Sequence, residues 1–519
     1  MTRYAPARPR ASGSGRPEGP TGQAPGRGGG GGRTRTPGRG LVARNSGWQL
    51  VTFAARAVSG LAAVILVARH GGPTQLGVFQ FALTLSTMFS FAVGLGLFNL
   101  LTREVAREPG SSRSWVEAGV LVALVAGGVV TALLAAGVRF AGQSPDVVEA
   151  VTLAGIALAF DTAGRITFAA FAGWERMGLE SAATVAQEVV FLAGIPLALD
   201  AGLGVRGVLL AYVGSRALGA LAGWTMACRE LRVVMVPRPH LAFLRPTLRR
   251  TVPFALDDAM SLTYIRVDAV LLGFVKGPTA VGLYQAATNL VLYLNVLARV
   301  LNTALYPRMS RAWPDPRQLG RYRDVSLRLL AVVGVPIMVG SLLLAPAIFR
   351  FVYGSRFDKA VLAYQVLVLV IPVRMLGHTL GTALTAADGQ TRRTVAVASA
   401  AVLNLGLNAW FIPRWSYLGA ALTTAITEAG LFATYAVMLR RLAGPSALAS
   451  SLAVPALASL PMAGLLLALR DGPVLPVVAT GALAYAAAIL VVALAAAPRE
   501  ARWRPRAALT ALVAGSAPR

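Results

Sequence analysis

Five polar side chains lie at the spacing of one helix face in an apolar segment, namely Thr288, Asn295, Arg299, Asn302 and Tyr306. No acidic residue lies on that face to neutralise Arg299. A guanidinium without a carboxylate partner is suited to an anion, because its planar fork donates paired hydrogen bonds to the oxygens. The stripe therefore predicts an anion-binding site.

Two further polar stripes carry charges of opposite sign. One contains Gln49, Thr52, Arg56 and Ser59, and the other contains Asp257, Ser261, Tyr264 and Asp268, with Asp258 next to it. A shift of 205 residues places Arg56 on Ser261 and Ala63 on Asp268. The stripes are therefore the same helix face in two copies of a repeat. Two interpretations of Arg56 stay open: it acts in the protein's function, or it forms a static pair with Asp257 or Asp268.

Many charged residues lie within or at the edge of long apolar segments. The basic ones are Arg56, Arg165, Arg216, Arg266, Arg299, Arg328 and Arg374, and the acidic ones are Asp161, Glu188, Asp257, Asp258, Asp268 and Glu428. In a membrane, exposing all of them to lipid would cost about 30–45 kcal/mol, at roughly 2.5–3.5 kcal/mol each. Folded proteins are stable by only about 5–15 kcal/mol. Most of these charges must therefore pair or face water, which predicts a hydrated internal cavity.

Some of these charges are assigned to coupling or gating. They are Asp257, Asp268, Asp258, Asp161, Arg165 and Glu428. Within this group, Asp161 and Arg165 lie one helical turn apart, a spacing that favours a structural bridge between them. Glu428 and Arg216 lie at matching ends of the two halves, and the sequence predicts no specific role for either side chain from this position.

The composition indicates a membrane protein. The 519 residues are 55% hydrophobic and only 14% charged, which is too little charge to cover a soluble protein of this size. The net charge of +27 does not indicate nucleic-acid binding, because the basic residues lie in the tails and between apolar segments, where cytoplasmic loops carry them. One cysteine and three scattered histidines predict no disulfide framework and no metal site.

Fourteen apolar segments have the length needed to cross about 30 Å of hydrocarbon. They lie near residues 47–68, 76–98, 115–138, 149–172, 182–200, 207–228, 252–274, 281–306, 326–349, 361–386, 394–412, 418–439, 447–469 and 474–497. Arginines are concentrated in the tails and in the loops after even-numbered segments, which places both termini in the cytoplasm. The sequence thus predicts an all-α integral membrane protein with about fourteen spans.

The repeat divides the chain into two halves. Six spans separate its copies, so both copies begin on the same side of the membrane, and such parallel repeats hold their substrate between them near the midplane. The predicted organisation is a disordered Arg/Gly/Pro-rich cytoplasmic tail at 1–45, a first lobe at 46–228, a cytoplasmic linker at 229–250, a second lobe at 251–441, a peripheral helix pair at 442–498 and a cytoplasmic tail at 499–519.

Several runs of residues between about 45 and 440 resemble a known family. They are VARHGGPTQLGVFQFALTLSTMFSFAVGLGLFNLLTREVAR, FAGWERMGLESAATV, RRTVPFALDDAMSLTYIRVDAVLLGFVKGPTAVGLYQAATNL, ALYPRMSRAW, VYGSRFDKA and AVLNLGLNAWFIPRWSYLGAALTTAITE. In these runs the chain resembles the polysaccharide biosynthesis (Wzx-type) flippases of the multidrug/oligosaccharidyl-lipid/polysaccharide exporter superfamily. The resemblance implies two six-helix lobes in a V-shaped arrangement around a central cavity.

The resemblance also implies a function. A flippase of this family would carry undecaprenyl-pyrophosphate-linked oligosaccharide to the outer leaflet of the bacterial cell membrane by alternating access, for surface polysaccharide biosynthesis. Arg56 and Arg299 are expected to contact the pyrophosphate, since arginine binds phosphate oxygens well. The other residues expected in the cavity are Gln49, Ser59, Ser261, Tyr264, Asn295 and Asn302. Asp257 and Asp268 would compete for the arginines in the empty site, or exchange H⁺ or Na⁺.

The expected partners are the lipid-linked substrate, membrane lipids, a polysaccharide polymerase and glycosyltransferases. Two other transporters of the superfamily remain alternatives, a lipid II flippase and a cation-coupled drug exporter. The prominence of arginine in the predicted cavity argues against an exporter of organic cations. A membrane polysaccharide polymerase or ligase is disfavoured, because the longest outward loop, near 350–360, is too short for a catalytic domain. The sequence therefore predicts a transporter without catalytic residues.

Overall fold

The computed structural model describes residues 39–236, 266–294 and 296–496, and in these ranges the secondary structure is helical. The helices of the first half are α1 Arg39–Met88, α2 Ser90–Gly94, α3 Leu97–Arg107, α4 Ser112–Phe140, α5 Pro145–Gly173, α6 Met177–Asp200 and α7 Gly204–Leu231. Those of the second half are α8 266–276, α9 Pro278–Leu294, α10 Val296–Ala312, α11 Pro316–Leu343, α12 Ala345–Val352, α13 Val361–Ala386 and α14 Gln390–Ala443. Two further helices follow, α15 Leu448–Ala468 and α16 Val474–Ala496.

Several predictions fall outside the described residues. They concern Asp257, Asp258, Ser261, Tyr264 and Asn295, the side chain of Arg299, the N-terminal tail up to residue 38, linker residues 237–250 and the C-terminal tail.

Ten of the described helices are long and apolar enough to cross a membrane. Two of them, α1 and α14, contain a break in helical geometry, at Gly72 (φ 70°) and Ser416 (φ 53°) respectively. At 1.5 Å per residue either helix would extend more than twice the roughly 30 Å of a bilayer core, so each holds two of the predicted spans. The chain is a multi-pass membrane protein. The total of fourteen spans stays a prediction, because more than half of the seventh lies outside the described residues.

The backbone shows the internal repeat directly. Residues with positive φ recur in the two halves at nearly constant separation, as Gly72 and Gly277 (205 residues), Gly142 and Gly354 (212), Glu175 and Asp388 (213), Gly204 and Ser416 (212), and Arg232 and Gly444 (212). Each pair lies at the junction of two helices. The turns that reverse the chain are therefore the same in both halves, and the shift of 205 residues grows to about 212 after the first turn.

The two halves meet where α1 breaks at Gly72 and where α9 begins after Gly277. A Cβ added to Gly77 would lie 1.7 Å from the carbonyl oxygen of Pro278, and one added to Gly282 would lie 1.9 Å from that of Pro73. Such a reciprocal contact is what an approximate two-fold axis produces. Only glycine permits this approach of the two backbones, so the glycines that repeat in the sequence mark the axis.

Hydrogen bonds reinforce this contact, and we call this end of the bundle the turn end. The hydroxyls of Thr74 and Thr279 are 2.9 Å apart, and the Nε of Arg69 donates to the carbonyl of Val352 at 2.9 Å. Arg356 donates to the carbonyl of His70 at 3.2 Å. Among the described residues, all hydrogen bonds between the halves join 69–84 to 279–356. In this conformation the described contact between the halves is therefore concentrated toward the turn end.

The opposite end of the first half, which we call the far end, is where α1 and α6 begin. There Asn45 donates to the carbonyl of Glu175 at 3.1 Å, and Trp48 lies against Gly178. The helices α15 and α16 form a separate pair on the second half, where Tyr485 donates to the carbonyl of Val332 at 2.7 Å. This arrangement confirms the predicted fold class, with two repeated halves and two additional C-terminal helices.

Candidate functional site

The polar stripe of α1 lies along α6. Gln49 donates to the carboxylate of Glu180 at 2.9 Å, and the hydroxyls of Thr52 and Ser181 are 2.7 Å apart. About two turns further along both helices, Ser59 donates to Glu188. Thr52 and Ser59 are buried, because each is used in a contact between the two helices. The expectation that this whole stripe lines a cavity is corrected by this packing.

Arg56 differs from the other three residues of that stripe, because its side chain makes no described hydrogen bond to α6. Its side chain is exposed, and its guanidinium makes no hydrogen bond or ion pair with any residue that the structure describes. It interacts electrostatically with Glu180. The predicted static pair with Asp268 does not form, and Asp257 lies outside the described ranges. An exposed arginine therefore interrupts a buried row of interhelical hydrogen bonds.

A buried charge cluster joins α5, α6 and α7. The Nη1 of Arg216 lies 2.8 Å from Glu188 and 3.6 Å from Asp161. The second amino group of Arg216 donates to Glu188 at 3.3 Å, and the guanidinium stacks 4.5 Å from the ring centre of Tyr212. Arg216 is 7% exposed and Glu188 is 2% exposed. The carboxylates of Asp161 and Glu188 share the guanidinium of Arg216, and they neutralise its positive charge inside the bundle.

The predicted bridge between Asp161 and Arg165 is wrong. Asp161 faces Arg216, and the exposed Arg165 has its guanidinium 5.6 Å from the ring centre of Phe98 on α3. A buried guanidinium gains more from a carboxylate than an exposed one does, because water screens the exposed charge. Arg165 thus forms no ion pair with an acidic side chain among the described residues, although an aspartate lies one turn away.

The second half contains a related ion pair with reversed polarity. The Nε and Nη2 of Arg374 on α13 lie 2.9 Å and 2.7 Å from one carboxylate oxygen of Glu428 on α14. The separations that relate the turns place Arg374 on Asp161 and Glu428 on Arg216. The same two helix positions therefore carry an ion pair in each half, with acid and base exchanged. This gives Glu428, which the sequence assigned to coupling or gating, a described partner.

Asp268 and Asn302 are both engaged within the second half. Asp268 accepts hydrogen bonds from the hydroxyl of Tyr284 and, at 2.7 Å, from the amide of Ala269. Asn302 donates to the carbonyl of Ala298 at 2.8 Å and accepts from Ser326 at 3.2 Å. Asn302 is only 4% exposed. In this conformation its amide holds helices together and is not open to a ligand.

Glu180 was not among the residues predicted from the sequence, and Glu188 and Arg216 were predicted only as charges that pair or face water. The signal was available for α6, where Ser181, Thr184 and Glu188 follow helical spacing next to Glu180. The equivalence of Arg216 and Glu428 was also visible, but no pattern indicated their partners. Five of the predicted residues lie in the first half, on α1 and α5, namely Gln49, Arg56, Ser59, Asp161 and Arg165.

Comparisons with known proteins agree with this architecture. The chain matches the family model described as "Polysaccharide biosynthesis protein" over residues 42–313, which is more than half of it, and the MatE model over residues 253–410. It is 20% identical to "Probable low-salt glycan biosynthesis flippase Agl15" of Haloferax volcanii, covering 70% of this chain and 76% of that protein.

Two shorter matches involve other transporters. The chain is 27% identical to "Probable flippase AglR" of the same organism, over 36% of this chain, and this match spans only 42% of that relative's length. It is 31% identical to "Putative O-antigen transporter" of Escherichia coli (strain K12), over 24% of this chain and 29% of that one.

Solved structures share the fold. "Lipid II flippase MurJ, inward closed conformation" superposes with a TM-score of 0.69 at 15% identity, covering 86% of this chain and 98% of the other. An inward-facing multidrug resistance MATE family transporter gives 0.59 at 14% identity, covering 76% and 97%. These likenesses concern the fold alone. The family match over residues 42–313 places the chain in the polysaccharide biosynthesis protein family, and its repeated halves have the fold that flippases and multidrug exporters share.

Proposed function

We propose that this protein is a flippase that carries undecaprenyl-pyrophosphate-linked oligosaccharide from the cytoplasmic to the outer leaflet of a bacterial cell membrane. The observation that carries the proposal is Arg56, an exposed arginine within a membrane-spanning helix whose guanidinium makes no ion pair or hydrogen bond with the described residues. A pyrophosphate supplies the charge and the oxygens that such a guanidinium lacks. The names of the relatives, a flippase, a glycan biosynthesis flippase and an O-antigen transporter, support the same substrate class.

The proposed topology has both termini in the cytoplasm, as the distribution of arginine favours. The turns at Gly72 and Gly277 then lie outside, so the halves are in contact at the outer side. Arg56 is sixteen residues before Gly72, or about 24 Å at 1.5 Å per residue, which puts it toward the cytoplasmic leaflet. A lipid-linked substrate would bind in this leaflet before the halves separate at the outer side and close at the cytoplasmic side.

The membrane-embedded ion pairs need no role in chemistry under this proposal. They neutralise charges that the helices would otherwise expose to lipid, and the pair of reversed polarity in the second half has the same role. We further propose that H⁺ or Na⁺ drives the return of the empty carrier. Asp268, whose described hydrogen bonds come from Tyr284 and a backbone amide, is our candidate for this coupling. The enzymes that make and polymerise the glycan are the proposed neighbours in the cell.

The test is transport by the purified full-length protein in proteoliposomes. The probe is a fluorescent undecaprenyl-pyrophosphate disaccharide whose outward movement is followed by its accessibility to a membrane-impermeant quencher. We expect wild type to move it and Arg56→Gln to lower the rate at least tenfold, since a charge-assisted contact contributes about 1.5–3 kcal/mol. Arg414→Gln is the matched control, because Arg414 is an exposed arginine over an aromatic ring in the second half. Equal rates for Arg56→Gln and wild type would refute the proposal.

A further inference from the structure

A segment of the second half at the turn end, residues 345–360, contains α12 and the single helical turn after it. Three aromatic side chains hold this segment, which we call the latch, to its own half. Phe349, Tyr353 and Phe357 are each at most 1% exposed, and neighbouring ring centres among them lie 5.3–5.5 Å apart. The Tyr353 hydroxyl also donates to the carbonyl of Ala286 on α9 at 3.1 Å. The latch is therefore a fixed part of the second half.

Two arginines join the latch to the first half, one from each side. The Nε of Arg69 donates to the carbonyl of Val352 at 2.9 Å, and its Nη2 donates to that of Phe351. In the opposite direction, Arg356 donates to the carbonyl of His70 at 3.2 Å. Phe351 and Val352 end α12, and the last carbonyls of a helix have no partner within it. Arg69 therefore supplies the hydrogen bonds and the positive charge that this helix end favours.

The internal repeat does not reproduce these contacts. The separation of 205 residues places Phe274 on Arg69. The separation of 212 places Ser144 on Arg356, and Phe140 on the last residue of α12. Phe140 is 96% exposed, and among the described residues no hydrogen bond joins its end of α4 to the second half. The turn end is therefore closed partly by the symmetric glycine contact and partly by a contact that only the second half provides.

We propose that the latch holds the outer side of the empty protein closed, and that Arg69 and Arg356 are the side chains that keep it in place. Both arginines must release their carbonyls before the halves separate at the turn end, because their hydrogen bonds cross from one half to the other. The inference rests on the proposed function only for the topology that makes the turn end the outer side. It does not depend on which molecule is carried.

The experiment measures the separation of the halves in the full-length protein in lipid nanodiscs. In a Cys228→Ser background, spin labels on Ala201→Cys and Asp471→Cys report the distance between the halves by double electron–electron resonance. Both residues are exposed. The loop of Ala201 lies at the turn end, where a Cβ on Gly204 would lie 3.5 Å from the side chain of Gln75. The loop of Asp471 lies beside the latch, because the first turn of α16 shares an apolar cluster with α12.

For the wild-type latch we expect the shorter distance, that of the closed outer side, to predominate without substrate. Arg69→Ala and Arg356→Ala should each raise the ratio of open to closed protein about 3- to 10-fold, the effect of losing one or two exposed hydrogen bonds. The double variant should raise it further. Arg350→Ala is the matched control, because the ion pair of this exposed arginine with Asp358, at 3.2 Å, stays within the latch. Its ratio should change less than about twofold.

A second label pair, Ala141→Cys with Ala201→Cys, lies within the first half, and its distance should be the same in every variant. If one single variant changes this internal distance, the other single variant, whose substitution lies in the opposite half, decides the outcome. The latch is refuted if the double variant is as closed as wild type, or if Arg350→Ala opens the protein as much as the double variant does. If the distances behave as expected but the protein does not move the disaccharide probe, the proposed function fails and the latch stands.

Discussion

The cluster of Asp161, Glu188 and Arg216 predicts an order of stability among its variants. Arg216→Gln leaves two carboxylates within the bundle without their shared guanidinium. Breaking a buried pair in this way costs about 3–5 kcal/mol. Glu188→Gln costs less, about 1.5–3 kcal/mol for the weakened hydrogen bonds, because Arg216 keeps Asp161 at 3.6 Å. Asp161→Asn costs about 1 kcal/mol or less, since the side chain of Asp161 is 25% exposed.

The assay is thermal unfolding of the purified protein in one detergent at one protein concentration. For a unit of 150–250 residues, 1 kcal/mol shifts the Tm by about 2–4 °C, so Arg216→Gln should lower it by about 6–20 °C. The double variant Glu188→Gln with Arg216→Gln should be more stable than Arg216→Gln alone, because one unpaired carboxylate is removed. The reasoning is refuted if Glu188→Gln is less stable than Arg216→Gln, or if the double variant shows no recovery.

Two further outcomes are expected. The first concerns a variant with Thr74→Cys and Thr279→Cys in a Cys228→Ser background. Oxidation should form a disulfide at the turn end, where the two threonine hydroxyls are 2.9 Å apart, and should stop transport until a reductant is added. Transport by the cross-linked protein would show that the halves need not separate there. The exchange of Arg374→Glu with Glu428→Arg should recover most of the Tm that Arg374→Glu alone loses, because the pair already occurs with reversed polarity in the first half. A double variant no more stable than the single one would contradict a simple pairing role.

The sequence determined the fold class by itself. Apolar segments of bilayer length, the spacing of their charges and a repeat with glycines at matching positions are all local properties, so they can be seen without coordinates. The segment predicted at 361–386 coincides with α13 Val361–Ala386. The repeat was equally visible, because Gly77 and Gly282 are required by the close approach of two backbones and not by a distant side chain.

Only the tertiary structure decided which charges are paired. Helical spacing places Arg165 one turn from Asp161, but it cannot show that Arg216 approaches the same aspartate from α7. Likewise, the stripe of α1 reads as one polar face, and the packing of α6 buries Ser59 while leaving Arg56 exposed. The energy of a charge inside a membrane depends on its neighbours from other helices, and those neighbours are set by the packing of the whole bundle.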